Sequence, residues 1–175
     1  MLDLKEKLGP YAKDLLINYK RVVETPEHTG LTQEQISGIA LACGYATGNI
    51  DLTRWIQAQQ AAALSAPMVF AAQAAASIMA MNNVYYRAMH ALPDSSYLQM
   101  PPGLRMSVMA KPGINAVDFE YLSLAVSAIN GCGLCIGSHT AHLETSGAAK
   151  TAIQHALKIA AIVHGIAQAI TISTI

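Results

Sequence analysis

The segment GCGLCIGSHTAH, residues 131–142, holds four side chains that could do chemistry together. Cys132 and Cys135 are separated by two residues, and His139 and His142 follow on the same stretch. On a helix that turns about 100° per residue, all four side chains fall within about 80° of one another. The spacing therefore predicts that two thiols and two imidazoles share one helical face.

Thiol chemistry is the interpretation that this spacing favours. A Cys-x-x-Cys pair at a helix start experiences the positive end of the helix dipole and free backbone N–H groups, and both favour the thiolate. Two intervening residues also allow the cysteines to close a disulfide. His139 lies one turn beyond Cys135, where an imidazole can accept or relay a proton.

Two other interpretations of these residues stay open. Two Cys and two His are enough ligands for tetrahedral zinc, but they spread along about 15 Å of a single helical face, and one helix cannot wrap a tetrahedron. The side chains could also be ordinary buried residues. We prefer that structural role for Cys43 and for four histidines, His28, His90, His155 and His164. His142 is either a support for the pair or a surface residue.

Glu120 is the acidic residue that could join this group. It precedes Cys132 by twelve residues and stands near the start of an apolar helical stretch. There it could simply favour the helix N-terminus. Alternatively, a turn at Asn130-Gly131 folds two helices together, and Glu120 then faces Cys135 and His139. Spacing alone does not choose between these positions.

The elements that must position these residues are helices, since alanine-rich runs with helical apolar spacing dominate the chain. Thr32 with Gln35 predicts a capping box. Further helix starts are predicted at Asp51, at the SAP segment 65–67, at Asn115 and near Cys132. A short helix is expected in LRMSVMA (104–110), and the last helix spans roughly 148–170.

The proline-rich connection LPDSSYLQMPPG, residues 92–103, is the predicted boundary between two halves of one domain that covers residues 1–175. The halves comprise approximately residues 1–91 and 104–175. A faint repeat spans this boundary when residues 34–49 are placed over 120–135, which matches Glu34 with Glu120. The first half lacks the cysteine pair in that register.

Composition excludes some functions and favours assembly. Net charge is zero, so no electrostatic footprint for nucleic acid appears. Charged residues make up 13% and hydrophobic residues 53%, against a typical charged share of about 25%. An oligomer that hides apolar surface is the simplest consequence. Three cysteines are consistent with a reducing compartment, in which a close pair is catalytic or metal-binding.

No signal peptide is expected, because acids are mixed with bases in MLDLKEKLGPYAKDLL and no apolar run follows. Two apolar stretches, 61–81 and 159–175, are interpreted as core or interface helices instead of membrane spans. We therefore expect a cytoplasmic protein without membrane contact.

The pattern Glu120-x11-Cys132-x2-Cys135-x3-His139 resembles the active-site motif of the AhpD-type alkylhydroperoxidases, within the carboxymuconolactone decarboxylase-like superfamily. Other segments also resemble this family in the same order, and the likeness covers essentially the whole chain. They are MNNVYYR (81–87), PGLRM (102–106), FE (119–120), SAING (127–131) and ALKIAAIVHGIAQA (156–169).

The resemblance implies an all-α fold of two similar halves, assembled as a homotrimer. It implies a peroxidase that reduces organic hydroperoxides and regenerates the peroxiredoxin AhpC as an antioxidant defence. Electrons would come from the dihydrolipoyl group of a lipoylated acyltransferase, itself reduced by dihydrolipoamide dehydrogenase. No bound cofactor and no metal are implied.

The resemblance also implies roles for individual residues. Cys135 would attack the peroxide and become a sulfenic acid, while Cys132, the outer cysteine, would donate a proton, resolve the disulfide and exchange with the partner. Glu120 and His139 would relay protons. Some family members carry a histidine just before the second cysteine, whereas this chain has Leu134 there, so the peroxidase rate and the thiol pKa are open.

Two alternatives to this enzyme are retained. One is a superfamily decarboxylase acting on a lactone acid, which leaves the cysteine pair without a role. The other is a non-catalytic redox sensor whose pair switches between dithiol and disulfide.

Overall fold

The described residues fold mainly into α-helices, as the sequence predicted. The structure is a computed structural model that describes Leu4 and residues 8–175, and these residues contain no β-strand. The remaining N-terminal residues, on which the expectation about a signal peptide partly depends, lie outside the described residues. The α-helices are α1 (Lys13–Tyr19), α2 (Gln33–Thr47), α3 (Ile50–Gln59), α4 (Ala66–Ala91), α5 (Ser107–Ala110), α6 (Ala116–Ile129), α7 (Gly133–Thr145) and α8 (Lys150–Ile172).

Most helix starts are determined by local capping. Thr32 forms the predicted capping box: its hydroxyl accepts from the Gln35 N–H at 3.2 Å, and Gln35 Oε1 accepts from the Thr32 N–H at 2.7 Å. Ser65 Oγ accepts from Met68 N–H at 3.3 Å at the start of α4. Asn115 caps α6. These starts confirm the predictions.

The predicted cap of α3 is wrong by two residues. Asn49, not Asp51, is the cap, and its Oδ1 accepts from the Leu52 N–H at 2.9 Å. Gly48 ends α2 in the left-handed region with φ of 69°, so the chain turns back into a helix immediately after it. Asp51 lies in the first turn of α3, where its charge favours the helix N-terminus.

Two helices, α2 and α6, form the centre of the fold. Residues 36–44 of α2 are all buried, as are residues 121–127 of α6, which is the pattern of a helix covered on every side. Helix α2 contacts α4, α6 and α8, while α6 contacts α4, α7 and α8. Because α7 packs on α6, the predicted site lies where a central helix meets an outer one.

Helix α8 is long and apolar enough to cross a membrane by length and composition, with a mean hydropathy of 1.4 in its most apolar window. Half of that window is buried inside the fold. Buried residues recur along it, from Ala152 to Ile170. This pattern is that of a core helix, which is the interpretation made from the sequence.

The connection at 92–103 contains a 3-10 helix, Ser95–Gln99. On either side of it, helices begin at a repeated spacing: residues 33, 50 and 66 before it, and 116, 133 and 150 after it, which are 83, 83 and 84 residues apart. This spacing differs by about three residues from the 86-residue offset that aligns Glu34 with Glu120. It pairs Asn49 with Cys132, which are both helix caps.

Candidate active site

A single turn between α6 and α7 positions the first cysteine. Gly131 adopts φ of 67°, and its N–H donates to Ala128 O at 3.2 Å, while the Cys132 N–H donates to Ser127 O at 3.1 Å. These two bonds form the Schellman motif that ends many helices. Cys132 is therefore the last residue of the motif that ends α6 and also the cap of α7.

The second cysteine lies in the first turn of α7. Cys135 is joined to Cys132 in a disulfide, with 5.3 Å between the Cα atoms, inside the ordinary range of about 4.4–6.8 Å. The Cys132 sulfur also accepts from the Cys135 N–H at 3.3 Å. Both sulfurs thus lie at the N-terminus of a helix of 13 residues, where the helix dipole favours a thiolate.

The burial of the two cysteines differs from one expectation. Cys132, expected to be the outer cysteine, is 0% exposed, whereas Cys135 is 7% exposed. Cys132 belongs to the motif that ends α6, whereas Cys135 lies in the first turn of α7 and lines a cavity. In the disulfide form both cysteines are buried, and Cys135 is the one with a small exposed fraction.

Glu120 faces the cysteine helix, which resolves the choice that its spacing left open. Its Oε2 lies 2.7 Å from His139 Nδ1 and 3.7 Å from His142 Nδ1. His139 is buried, whereas the side chain of His142 is 67% exposed. One carboxylate therefore joins a buried and an exposed imidazole, an arrangement through which a proton can pass between the site and solvent.

A polar chain ties this turn to α4. Arg87 Nη1 donates to Asn130 O, and Asn130 Nδ2 donates to Asn83 Oδ1 at 2.9 Å. Asn83 Nδ2 in turn donates to Ser127 Oγ at 3.0 Å. Because Ser127 and Asn130 flank the helix end, these bonds hold the segment that presents Cys132.

A cavity of about 380 Å³ opens beside the second cysteine. Its apolar lining consists of Met79, Tyr86, Met106, Met109 and Leu134. Its polar lining consists of Asn82, Cys135, Ser138 and His139. The cavity is large enough for a small organic molecule, and its walls are mostly apolar with a few polar groups, as in typical ligand sites.

The other candidate residues lie elsewhere. Cys43 is fully buried in α2, and burial raises the pKa of its thiol far above the usual range. His155 Nε2 donates to Val22 O at 2.8 Å, which is the structural role expected for it. The residues that the structure describes contain no group of three or more His, Cys, Asp or Glu side chains placed to hold one metal ion.

Sequence reasoning assigned no role to Asn82, Asn83, Arg87 and the methionines of the cavity. The segment MNNVYYR was noted only as a likeness to the family. Its two asparagines carried a signal, since most buried amides in folded proteins have hydrogen-bond partners, and adjacent amides in a largely apolar helix therefore indicate polar contacts.

The segment that contains the site matches a known family model. That model, of the carboxymuconolactone decarboxylase family, matches residues 96–173, the part of the chain that contains Glu120 and the cysteine pair.

Individual relatives are more specific. Proteins called alkyl hydroperoxide reductase AhpD are similar along nearly the whole chain. One from Coxiella burnetii (strain RSA 493 / Nine Mile phase I) is 49% identical over 164 residues, 94% of this chain and 93% of its own. That of Azorhizobium caulinodans is 45% identical over 167 residues, which are 95% of this chain and 91% of the relative. That of Brucella canis is 44% identical over 168 residues, which are 96% of this chain and 94% of the relative. The chain belongs to the AhpD family.

Proposed function

We propose that this protein is an antioxidant thiol peroxidase that reduces organic hydroperoxides to alcohols with its Cys132–Cys135 pair. The observation that carries this function is the position of the pair: a disulfide at a helix N-terminus, beside a Glu–His pair, at the wall of an apolar cavity. The name of the relatives supports the same reaction.

Cys135 is the cysteine that meets the peroxide in this proposal. Cys135 lines the cavity, whereas Cys132 does not. In the cycle, the Cys135 thiolate attacks the terminal peroxide oxygen, an S–O bond forms and the O–O bond breaks, giving a sulfenic acid and an alkoxide. The thiol of Cys132 donates a proton to the alkoxide. The sulfur of Cys132 then attacks the sulfur of the sulfenic acid and forms the disulfide. The displaced hydroxide is protonated and leaves as water.

Glu120 and His139 manage the protons of this cycle. His139 Nδ1 is held by the carboxylate, which leaves its Nε2 available to the site. The pair takes the proton of Cys135 when the thiolate forms and returns it to the leaving hydroxide. His142, at the exposed side of the same carboxylate, connects the pair to solvent.

A dithiol must reset the disulfide. We assign this step to a dihydrolipoyl group on a lipoylated acyltransferase, which attacks the disulfide and leaves as its own disulfide. In the same role the reduced pair would regenerate the peroxiredoxin AhpC. In this proposal the protein acts in the cytoplasm, and no bound cofactor enters the cycle. Since Cys132 is buried in the disulfide form, its exchange with a partner needs local opening of the turn.

A homotrimer and two similar halves complete the proposal. Large apolar side chains are exposed on one protomer, among them Ile50, Phe70 and Val84, and assembly would cover them. The matching helix spacing of 83 to 84 residues supports an internal repeat in which only the second half carries the cysteine pair. Light scattering of the purified protein tests the trimer.

The test of the function is stopped-flow oxidation of the reduced protein by cumene hydroperoxide, followed by mass spectrometry of the Cys132–Cys135 peptide. Fast, stoichiometric disulfide formation that dihydrolipoamide reverses supports the peroxidase. Cys135→Ser should abolish turnover, and Cys132→Ser should stop at a sulfenic acid that dimedone traps. Cys43→Ser is the matched control and should retain turnover.

Other outcomes separate the alternatives. Slow oxidation by peroxide with rapid dithiol exchange would indicate a disulfide reductase that serves a separate peroxiredoxin. Disulfide formation without turnover under a lipoyl reductant would indicate a redox sensor. Full activity in the Cys135→Ser variant would overturn the assignment of that residue.

A further inference from the structure

The cavity beside Cys135 contains a buried amide with unused hydrogen-bonding capacity. Asn82, on α4, is 5% exposed, and among the described residues its Oδ1 has no hydrogen-bond partner. Its Nδ2 donates to Met109 Sδ at 3.7 Å, and a thioether is a weak acceptor. Exchanging the amide oxygen and nitrogen would not help, because a thioether has no hydrogen to donate to the oxygen.

The neighbouring residue shows that the helix does not impose this state. Asn83 uses both ends of its amide, one with Ser127 and the other with Asn130. Two other buried oxygens lack a partner within the described part of the chain, those of Tyr19 and Ser123, and neither residue lines this cavity. An unsatisfied polar atom in a folded protein calls for a specific explanation, and at Asn82 a ligand supplies one.

A hydroperoxide has the chemistry that the amide lacks. The group R–O–O–H carries one donor, the O–H on its terminal oxygen, and that oxygen is the atom a thiolate attacks. The alkyl part is apolar and matches the methionine and tyrosine walls of the cavity. A turn of the Asn82 amide toward the cavity would break only its weak bond to Met109 and would bring the buried Oδ1 to this O–H. The carbonyl would then hold the terminal oxygen in the cavity that Cys135 lines.

We propose that Asn82 is a substrate-positioning residue, whose side-chain carbonyl accepts the O–H of the hydroperoxide and orients it toward Cys135. This proposal rests on the proposed function. In the step itself the Cys135 thiolate gives an electron pair to the terminal oxygen, and the O–O electron pair leaves with the alkoxide. The hydrogen held by Asn82 stays on the terminal oxygen, which becomes the sulfenic acid hydroxyl. The alkoxide takes its proton from the Cys132 thiol, so sulfur is oxidised by two electrons and the peroxide is reduced by two.

The test compares two reactions of the same thiolate. One is oxidation of the reduced protein by cumene hydroperoxide, and the other is its exchange with a neutral disulfide, dipyridyl disulfide, which has no O–H to position. Asn82→Leu keeps the approximate size and removes the amide. Gln73→Leu makes the same kind of change at an exposed amide on α4 that does not line this cavity and is the matched control.

The expected result is a loss specific to peroxide. Asn82→Leu should lower the hydroperoxide rate constant by about 10- to 100-fold, the scale of a misplaced reactant, while disulfide exchange stays close to the wild-type rate. Asn82→Ala gives the same comparison if the leucine variant does not fold. Asn82→Asp keeps an acceptor oxygen and should recover part of the wild-type ratio of the hydroperoxide rate to the disulfide-exchange rate. Because both reactions use the same thiolate, this ratio does not depend on the thiolate fraction.

Three results would overturn the proposal. If both reactions slow equally in the leucine and alanine variants, Asn82 supports the structure only. An unchanged hydroperoxide rate in these variants, with a fast wild type, removes the role of Asn82 and leaves the peroxidase intact. A wild-type protein that hydroperoxide does not oxidise ends the proposed function, and the role of Asn82 with it.

Discussion

Glu120 Oε2 and His139 Nδ1 lie 2.7 Å apart, although 19 residues separate them in the chain and they belong to different helices. The contact exists because the α6–α7 turn folds the two helices against each other. A carboxylate that accepts from Nδ1 selects the tautomer of His139 with a free Nε2. The contact between Glu120 and His139 thus depends on one turn.

Replacing the Glu120 carboxylate should lower the rate of oxidation by hydroperoxide. Glu120→Gln keeps the shape but removes the charge, and we expect the rate constant for hydroperoxide oxidation to fall by about 100-fold, at the lower end for general acid–base catalysis. Stopped-flow oxidation across a range of pH measures it. Glu144→Gln, an exposed glutamate on α7, is the control, and equal rates in both variants would contradict a proton role for Glu120.

Leu134 should limit the reactivity of the thiols. It lies between the cysteines, is 45% exposed and lines the cavity. In Leu134→His a protonated imidazole would stand beside Cys135 and lower the thiol pKa, and each unit raises the thiolate fraction about tenfold while the thiol remains mostly protonated. Thiolate absorbance against pH and the hydroperoxide rate check this expectation. Leu134→Asn, polar but uncharged, separates charge from polarity: an equal effect would exclude the charge as the cause.

Gly131 is required by its backbone conformation, and Gly133 is not. Gly131 has φ of 67°, whereas Gly133 begins α7 with open space where the Cβ of an alanine would lie. Gly131→Ala should therefore lower the free energy of unfolding by about 1–2 kcal/mol, the cost of the left-handed region for a residue with a Cβ. Gly133→Ala, in the same turn, should be neutral or stabilising by about 0.4–1 kcal/mol. Urea denaturation of the oxidised variants compares them, and equal stabilities would argue against a left-handed conformation at residue 131.

His155 should make the fold sensitive to mild acid. Burial, with a smaller contribution from Lys158, lowers the pKa of His155 below its ordinary 6.5, and the hydrogen bond to Val22 opposes this only in part. Between the folded-state pKa and about pH 6.5 the unfolded chain binds more protons than the folded one. The contribution of His155 to stability is therefore complete above about pH 6.5 and declines as the pH falls toward the folded-state pKa.

Urea midpoints at several pH values between neutrality and mild acid measure this decline. His155→Gln keeps a donor for Val22 O and should flatten the curve. His164→Gln, an exposed histidine on the same helix, is the matched control. A curve of the same slope in the His155→Gln variant would assign the decline to other groups.

Features with local causes could be predicted from the sequence. The Thr32 capping box, the SAP start of α4 and the Asn130-Gly131 turn each depend on residues within one helical turn of each other, and their positions were predicted correctly. The start at Asp51 was wrong because Gly48 and Asn49 compete with it, and a carboxylate in the first turn carries the same signal as a cap.

Features that depend on packing between helices could not be predicted. The spacing of Glu120 allowed two positions, and the contact with His139 arises only when α7 lies on α6. The burial order of Cys132 and Cys135 follows from how the end of α6 packs. Asn82 becomes part of the site because α4 passes beside α7, and no pattern within α4 encodes that approach.

Cys132 is at once the end of one helix motif, the cap of the next helix and half of the disulfide. A cap that carries full negative charge accepts a backbone N–H more strongly than a bonded sulfur does. In the proposed cycle Cys132 becomes a thiolate after it gives its proton to the alkoxide. At that stage it would stabilise the first turn of α7, and by reciprocity that turn favours the thiolate by the same free energy. The N–H of Cys135 donates to this sulfur. The rate at which this amide exchanges with solvent deuterium would therefore report whether the pair is a disulfide or reduced.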